Sequence, residues 1–300
     1  MKILITGGTG LVGKALVSKL REKGHFVNIL VRKNPKNENE FLWDYSKKEI
    51  DEKAFEGIDT IIHLAGASIG KRWTKEYKRE IISSRVDSAK FLKEKCSELG
   101  VRLKSFISAS GINYYGTFTD EKILTENDGI LHQDFLSEVC VLWEKSADEF
   151  TEISEKIVKI RTAPVLSKKG GTFEQLKKIT DYNLASGIGS GKQWFNWIYI
   201  EDLVEIYIKS VVDANIKGIY NAVADEIPTN QNFMKKLASE RKKFFIPFNV
   251  PGFLMKLVLG EMSEIILEGT KVSNQKIKNS GFVFKYPDLN STFRNILKDN

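Results

Sequence analysis

The stretch Lys2-Ile3-Leu4-Ile5-Thr6-Gly7-Gly8-Thr9-Gly10-Leu11-Val12-Gly13 decides the reading of the chain. Its apolar run is strand-like, its glycines fall at Gly7, Gly10 and Gly13, and Leu11, Ala15, Leu16 and Leu20 then recur at helical intervals. Strand, glycine turn and helix in this order predict a nucleotide-binding βα unit. Glycine suits such a turn twice over. It accepts positive φ, and its missing Cβ lets backbone N–H groups come close to a pyrophosphate at the helix N-terminus. The reading assigns Gly7, Thr9, Gly10, Leu11, Val12 and Gly13 to the cofactor, with Gly13 also serving close packing of helix on strand. The plain alternative is a strand-to-helix turn with no ligand.

A chain of 300 residues with 42% hydrophobic content can bury a sizeable core. The length allows one large α/β domain or a nucleotide domain with a smaller companion. No apolar run reaches membrane-spanning length, and Ile3–Ile5 is too short for the apolar core of a signal peptide, so a cytoplasmic protein with no membrane partner is expected. Cys96 and Cys140 have neither disulfide nor metal spacing, and His25, His63 and His132 are scattered, so no metal site is expected. The formal charge of +7 comes from lysines interleaved with acids. That pattern reads as solvated faces that favour an anionic cofactor, not as a nucleic-acid surface.

Phe26–Val31 reads as a buried parallel strand ending at Arg32 and Lys33. About twenty residues past the glycine turn, a carboxylate would receive the ribose hydroxyls of NAD. Here the position is cationic, and Arg32 can pair with the 2′-phosphate of NADP; an exposed basic strand end is the alternative. NADP is favoured and NAD stays open. Phe41–Trp43 is a strand closing on Asp44, and Thr60–Leu64 is another, with His63 packed in the core. A helix over Trp73–Leu99 is stopped by Gly100. The strand Ser105–Ser108 runs into Ser108-Ala109-Ser110-Gly111-Ile112-Asn113-Tyr114-Tyr115-Gly116, followed by a helix over Phe135–Thr151 and a strand over Val158–Arg161. Gly187, Gly189 and Gly191 precede a strand over Trp194–Ile200, which predicts a substrate-side loop without a phosphate cradle. A helix from Glu201, a strand over Gly218–Asn221 and helices over Gln231–Leu237 and Phe253–Leu259 follow, with Pro247 and Pro251 punctuating the last connection. The expected division is a nucleotide-binding domain over 1–165 that also receives about 194–224, and a substrate lobe over 166–193 and 225–300.

Several separated pieces are together similar to one group. They are Thr6 to Gly13 as T-G-x-x-G-x-x-G, Lys71-Arg72-Trp73 with Ser84-Arg85, Tyr114-Tyr115-Gly116, Asp134-Phe135-Leu136 with Trp143-Glu144, and Gly189 to Gln193 with Trp197-Ile198. The chain resembles the epimerase-like, atypical extended short-chain dehydrogenase/reductase family that ends in a C-terminal domain of unassigned function. The resemblance implies a Rossmann doubly wound parallel α/β sheet with a smaller C-terminal α/β lobe, NADP, and a nucleotide-sugar-like or other small carbonyl or hydroxyl substrate.

It also implies residue roles. Asp44 meets the adenine amino group, or else caps a turn. Leu64, Ala65 and Gly66 lie along the cofactor. Arg85, Ser108, Ala109 and Arg161 stand near the nicotinamide, Arg85 having a surface cation as its alternative. Ser110 holds the reacting oxygen, Tyr114 or Tyr115 replaces the proton donor, and Arg72, Gln193 and Trp197 bind substrate. One departure stands out. With Glu144 setting the register, Cys140 and Leu136 occupy the places of the lysine and tyrosine in the Tyr-x-x-x-Lys pair of active relatives. Without a neighbouring cation a phenol near its ordinary pKa is a poor base at neutral pH. Two functions are therefore open: an NADP-dependent oxidoreductase or epimerase, and a non-catalytic NADP-binding regulatory protein.

Overall fold

In the computed structural model, which describes residues 1–298, the opening apolar run is the strand Lys2–Thr6, buried from Ile3 onward. A strand hides both of its faces only inside a sheet that is covered on both sides. Lys2–Thr6 takes that place in an eight-stranded sheet. The spatial order is Gly218–Ala222, Ile157–Thr162, Ser105–Gly111, Thr60–His63, Lys2–Thr6, Phe26–Val31, Glu40–Asp44 and Glu49–Ile50. The five from Ser105–Gly111 to Glu40–Asp44 pair in parallel, and Glu49–Ile50 closes one edge antiparallel. The chain first steps from Lys2–Thr6 through the helix Leu11–Glu22 to Phe26–Val31 and only later fills the other side. The order therefore reverses beside Lys2–Thr6, and ligands of open α/β sheets bind at the carboxyl ends of strands at such a point.

Register sets what stands at that edge. Thr6 lies beside His63, and His63 beside Ser108. Thr6 Oγ1 accepts the amides of Leu64 and Ala65 and lies 2.9 Å from His63 Nδ1. Because two amides already donate to that oxygen, its own hydrogen goes to Nδ1. Nε2–H then donates to the carbonyl of Arg85 at 3.2 Å. Burial pushes the imidazole down to about 4, so it stays neutral. The core reading of His63 holds.

The chain divides into two compact units. One comprises 1–114, 138–161 and 204–220, and the other 115–137, 162–203 and 221 onward. This puts 115–137, 162–165, 194–203 and 221–224 in the second unit, where the sequence reading kept them in the nucleotide domain. The first unit has Leu4, Ile61, Phe106 and Phe150 in its core, the two phenylalanines stacked at 3.6 Å between centroids. The second is centred on Phe173, Trp197, Phe233 and Phe293.

Two readings need correction there. The strand Ala185–Ile188 takes in Gly187, the first of the alternating glycines, while the extended run after them is only Ile198–Tyr199. Ala-Ser-Gly-Ile lacks the apolar signature of a buried strand, which is why it was missed. The loop still offers no cradle, since Gly189 N–H donates to the Val250 carbonyl and Gly191 N–H to that of Ile188. The connection around Pro247 is likewise a strand, Phe245–Val250, paired with Ala185–Ile188. Proline is tolerated because this is an edge strand.

Asp202, buried near the start of the helix Ile200–Val212, accepts the amides of Lys285 and Tyr286, each at 2.9 Å. Desolvation outweighs these bonds and pushes its carboxyl up to about 6. His63 and Asp202 bias stability in opposite senses. A histidine held below its ordinary value loses stability as pH falls from about 6.5 toward 4, whereas an aspartate held above its ordinary value loses it as pH rises from about 4 toward 6. In urea unfolding between pH 4 and 7, His63→Gln should gain on the parent as pH falls, and Asp202→Asn should gain as pH rises, each by up to about 3 kcal/mol. Curves parallel to the parent's would refute both assignments.

Candidate functional site

The glycine turn is built for close backbone approach. Gly7 has φ +69°, and a Cβ there would sit 2.8 Å from the carbonyl carbon of Leu64. A Cβ on Gly13 would lie 2.2 Å from the Gly7 oxygen, so Gly13 is the packing glycine of the helix. Gly10 is the N-cap of Leu11–Glu22 and carries no side-chain cap. Thr9 and Gly10 are exposed and Leu11 and Val12 half-buried. The first-turn amides thus lack a side-chain acceptor at the positive end of the helix dipole. These features fit a pyrophosphate.

Beside this turn lies a groove of about 850 Å³ whose lining includes Thr9, Lys14, Arg32, Lys33, Lys36 and Asp44. Its two carboxylates are engaged locally. Glu40 accepts the Lys36 amide and the Asn37 side chain, and Asp44 accepts the amide and hydroxyl of Ser46, whose hydroxyl is the main reason its carboxyl falls below the ordinary range. Asp44 therefore caps a turn, the second of its two readings, while also lining the groove. Four cations against two occupied acids make this an anion-attracting surface. Lys14 was not singled out from the sequence; its place one residue after Gly13 was the available signal.

Arg85 is buried, so the surface-cation alternative fails. Its Nη1 donates to the Ile81 carbonyl at 2.9 Å and its Nη2 to that of Ala67 at 3.1 Å, and the guanidinium lies 4.8 Å from the Trp143 ring centroid. A Cβ on Gly66 would meet Arg85 Cζ at 2.8 Å. Arg85 and Ser84, which accepts the Ala67 amide, therefore hold the Leu64–Ala67 segment against the helix Lys75–Glu98. The periodicity carried the signal: Ile81, Arg85, Leu92 and Cys96 share one buried helix face.

At the end of Ser105–Gly111, Ser108 Oγ donates to the Ala109 carbonyl. Ser110 Oγ donates to Glu144 Oε1 at 2.8 Å. Glu144 is buried and receives Arg161 in a fork, Nε to Oε1 at 2.7 Å and Nη2 to Oε2 at 3.0 Å. Arg161 Cζ in turn lies 3.4 Å from the centroid of the half-buried Tyr114 ring. Sequence reasoning used Glu144 only to set the helix register and missed that it joins Ser110 to Arg161. Cys140 packs against Gly111, and burial together with the Glu144 charge pushes its thiol up to about 12. It supplies no cation in place of the absent lysine.

Three assigned roles are corrected. Tyr115 is wholly buried and its hydroxyl donates to Asn221 at 2.9 Å, which leaves Tyr114 of the pair. Gln193 is buried, with its amide donating to the carbonyls of Ile188 and Ile266. Trp197 lies wholly within the second unit's core. Arg72 is exposed. Among the described residues no cluster of histidine, cysteine and carboxylate side chains could hold a metal, and no helix is long and apolar enough to cross a membrane.

An epimerase family protein of Staphylococcus aureus (strain NCTC 8325) is 33% identical over 299 residues, covering 99% of both chains. The chain belongs to the epimerase family. The profile of the NAD dependent epimerase/dehydratase family matches residues 3–132, and a domain of unknown function, DUF1731, matches 250–296. The crystal structure of the human epimerase family protein SDR39U1 (isoform 2) with NADPH covers 99% of each chain at 26% identity and TM-score 0.87. That of a nucleoside-diphosphate sugar epimerase from Corynebacterium glutamicum is 31% identical at TM-score 0.79, covering 99% of this chain and 57% of the other. The Rossmann-like sheet and the extended short-chain dehydrogenase/reductase resemblance are thereby established.

In this epimerase-family chain, removing one member of the buried pair strands the other's charge. Arg161→Met should cost about 3–5 kcal/mol in urea unfolding, and adding Glu144→Leu should return at least half of it. A loss under about 1 kcal/mol for the single variant would show the pair to be solvated.

Proposed function

We propose that this chain is an NADP-binding oxidoreductase or epimerase acting on a nucleotide-sugar-like or other small hydroxyl or carbonyl substrate. The observation that carries the reading is the glycine turn opening beside the basic groove of Lys14, Arg32, Lys33 and Lys36. The amides of the turn from Gly7 to Gly13 hold the pyrophosphate, with Thr9, Leu11 and Val12 at its wall. Arg32 takes the 2′-phosphate. The segment Leu64-Ala65-Gly66, fixed from beneath by Arg85, lies along the dinucleotide together with Ser108 and Ala109. When bound, the nicotinamide supplies or accepts hydride. The NADPH in the human relative supports this cofactor, and the kinship with a nucleoside-diphosphate sugar epimerase of Corynebacterium supports the substrate class.

On the protein side, Ser110 has its hydrogen committed to Glu144, so its oxygen orients a substrate hydroxyl by accepting from it. Tyr114, stacked on Arg161, is the proton carrier in place of the missing tyrosine. Arg161 acts by holding Glu144 and Tyr114, and Arg72 reaches the substrate as an exposed cation. The regulatory reading is favoured by one observation, the apolar Leu136 and buried Cys140 where a tyrosine and lysine would stand.

Calorimetric titration should find NADPH bound more tightly than NADH, and Arg32→Ala should weaken NADPH at least about tenfold with NADH unchanged, the worth of a charged hydrogen bond. Equal affinities in the parent would overturn the NADP assignment. With NADP and a panel of nucleotide sugars, Ser110→Ala and Tyr114→Phe should each lower turnover by about a hundredfold or more without altering NADPH affinity. Tight NADPH binding with no hydride transfer to or from any member would leave the regulatory reading.

A further inference from the structure

Arg85 carries a buried charge that its surroundings do not balance. Only 8% of the residue is exposed, and among the described residues no carboxylate stands within ion-pair distance of it. Its two acceptors, the carbonyls of Ile81 and Ala67, are neutral. The titratable groups that its charge reaches are Cys140, Tyr77 and His63. Burial holds the thiol up at about 12 and the imidazole down at about 4, and the Tyr77 hydroxyl keeps its hydrogen to donate to the Ser68 carbonyl. Glu144 is spent on Arg161. An unpaired buried cation is costly, and the Trp143 ring at 4.8 Å returns only part of that cost. Tying the Ala67 carbonyl needs a donor, which a neutral amide or hydroxyl supplies without it. The charge itself therefore calls for a use.

The sheet order says where that charge is felt. Under the cofactor assignment above, the groove of Lys14, Arg32 and Lys33 takes the adenosine half of the dinucleotide beside Phe26–Val31 and Glu40–Asp44. Lys2–Thr6 comes next in the sheet, and beyond it Thr60–His63 and Ser105–Gly111. A dinucleotide laid across the strand ends brings its other half to these last two. Arg85 lies directly against the segment that leaves Thr60–His63, since a Cβ on Gly66 would meet its Cζ at 2.8 Å. One layer of backbone separates the guanidinium from a ligand lying along Leu64-Ala65-Gly66. The nicotinamide ring is cationic when oxidised and neutral when reduced, so a fixed positive charge at this end tells the two forms apart.

Resting on that cofactor assignment, we propose that Arg85 makes the site select the reduced, ring-neutral dinucleotide over the oxidised one. The chain thereby answers to the ratio of NADPH to NADP⁺, whether or not it turns over a substrate. Even at roughly 10 Å, with an effective dielectric constant of about 20, a unit charge shifts this balance about tenfold. A tenfold preference raises the potential of the bound couple by about 30 mV. Titration calorimetry should find the parent binding NADPH at least about tenfold more tightly than NADP⁺. Arg85→Met should bring the two affinities together, whereas Arg85→Lys, which keeps the charge and gives up the two-armed hold, should retain the ratio. Losing the tie to Ala67 weakens both forms alike and cancels in that ratio. Cys140→Asp offsets the charge with Arg85 still in place and should lower the ratio as Arg85→Met does, while Cys140→Asn should leave it. Equal affinities in the parent, a ratio unmoved by Arg85→Met and Cys140→Asp, or one lost in Arg85→Lys would each overturn the proposal while leaving the cofactor assignment standing. Binding of neither form would overturn that assignment, and the proposal with it.

Discussion

The hydroxyl of Thr6 is the joint on which the first unit turns. It accepts two successive amides at the end of Thr60–His63 and gives its hydrogen to His63, whose other nitrogen reaches the backbone of the helix Lys75–Glu98. One side chain thus binds the central strand, its neighbour and a covering helix into one arrangement. The glycine requirement follows from it. With Leu64 and Ala65 drawn onto Thr6, no room is left above Gly7 for a side chain. Arg85 then closes the far side of the same segment and imposes the same condition on Gly66.

The second organising interaction replaces what the helix Phe135–Asp148 lacks. A lysine there would bring a net positive charge to this part of the first unit. Here the charge comes from Arg161 on a strand and is neutralised in place by Glu144. Taking both ions out of water is costly unless the geometry is good and the remaining lone pairs are satisfied. The forked contact supplies the geometry, and the Ser110 hydroxyl gives Glu144 a third donor. The consequence for chemistry is a serine whose polarity is set by the protein before any ligand arrives.

What the sequence disclosed and what it hid divide along a physical line. Local periodicity and turn chemistry were legible: the strand and glycine turn of Lys2–Gly13, the parallel strands through Ser105, the packing role of Gly13 and the core place of His63. Contacts made between distant residues were not. The Glu144–Arg161 fork joins a helix to a strand seventeen positions on, and no spacing rule announces it. Tyr114 and Tyr115 are chemically identical neighbours. Only the short turn Ile112–Tyr115 decides that one hydroxyl is consumed by Asn221 while the other ring rests on a guanidinium. Gln193 ties two carbonyls and Trp197 packs in the core of the second unit, and a motif does not say which need its residues meet.

Cys96 and Cys140 sit on two different helices of the first unit, and both thiols are pushed up to about 12 by burial. Neither is a nucleophile while the native packing holds, since attack requires the thiolate and an open approach. Alkylating reagents therefore reach them only in molecules whose helices have come away from the sheet. The natural chain carries a built-in chemical clock for the opening of its nucleotide-binding half, readable by mass without any added label site.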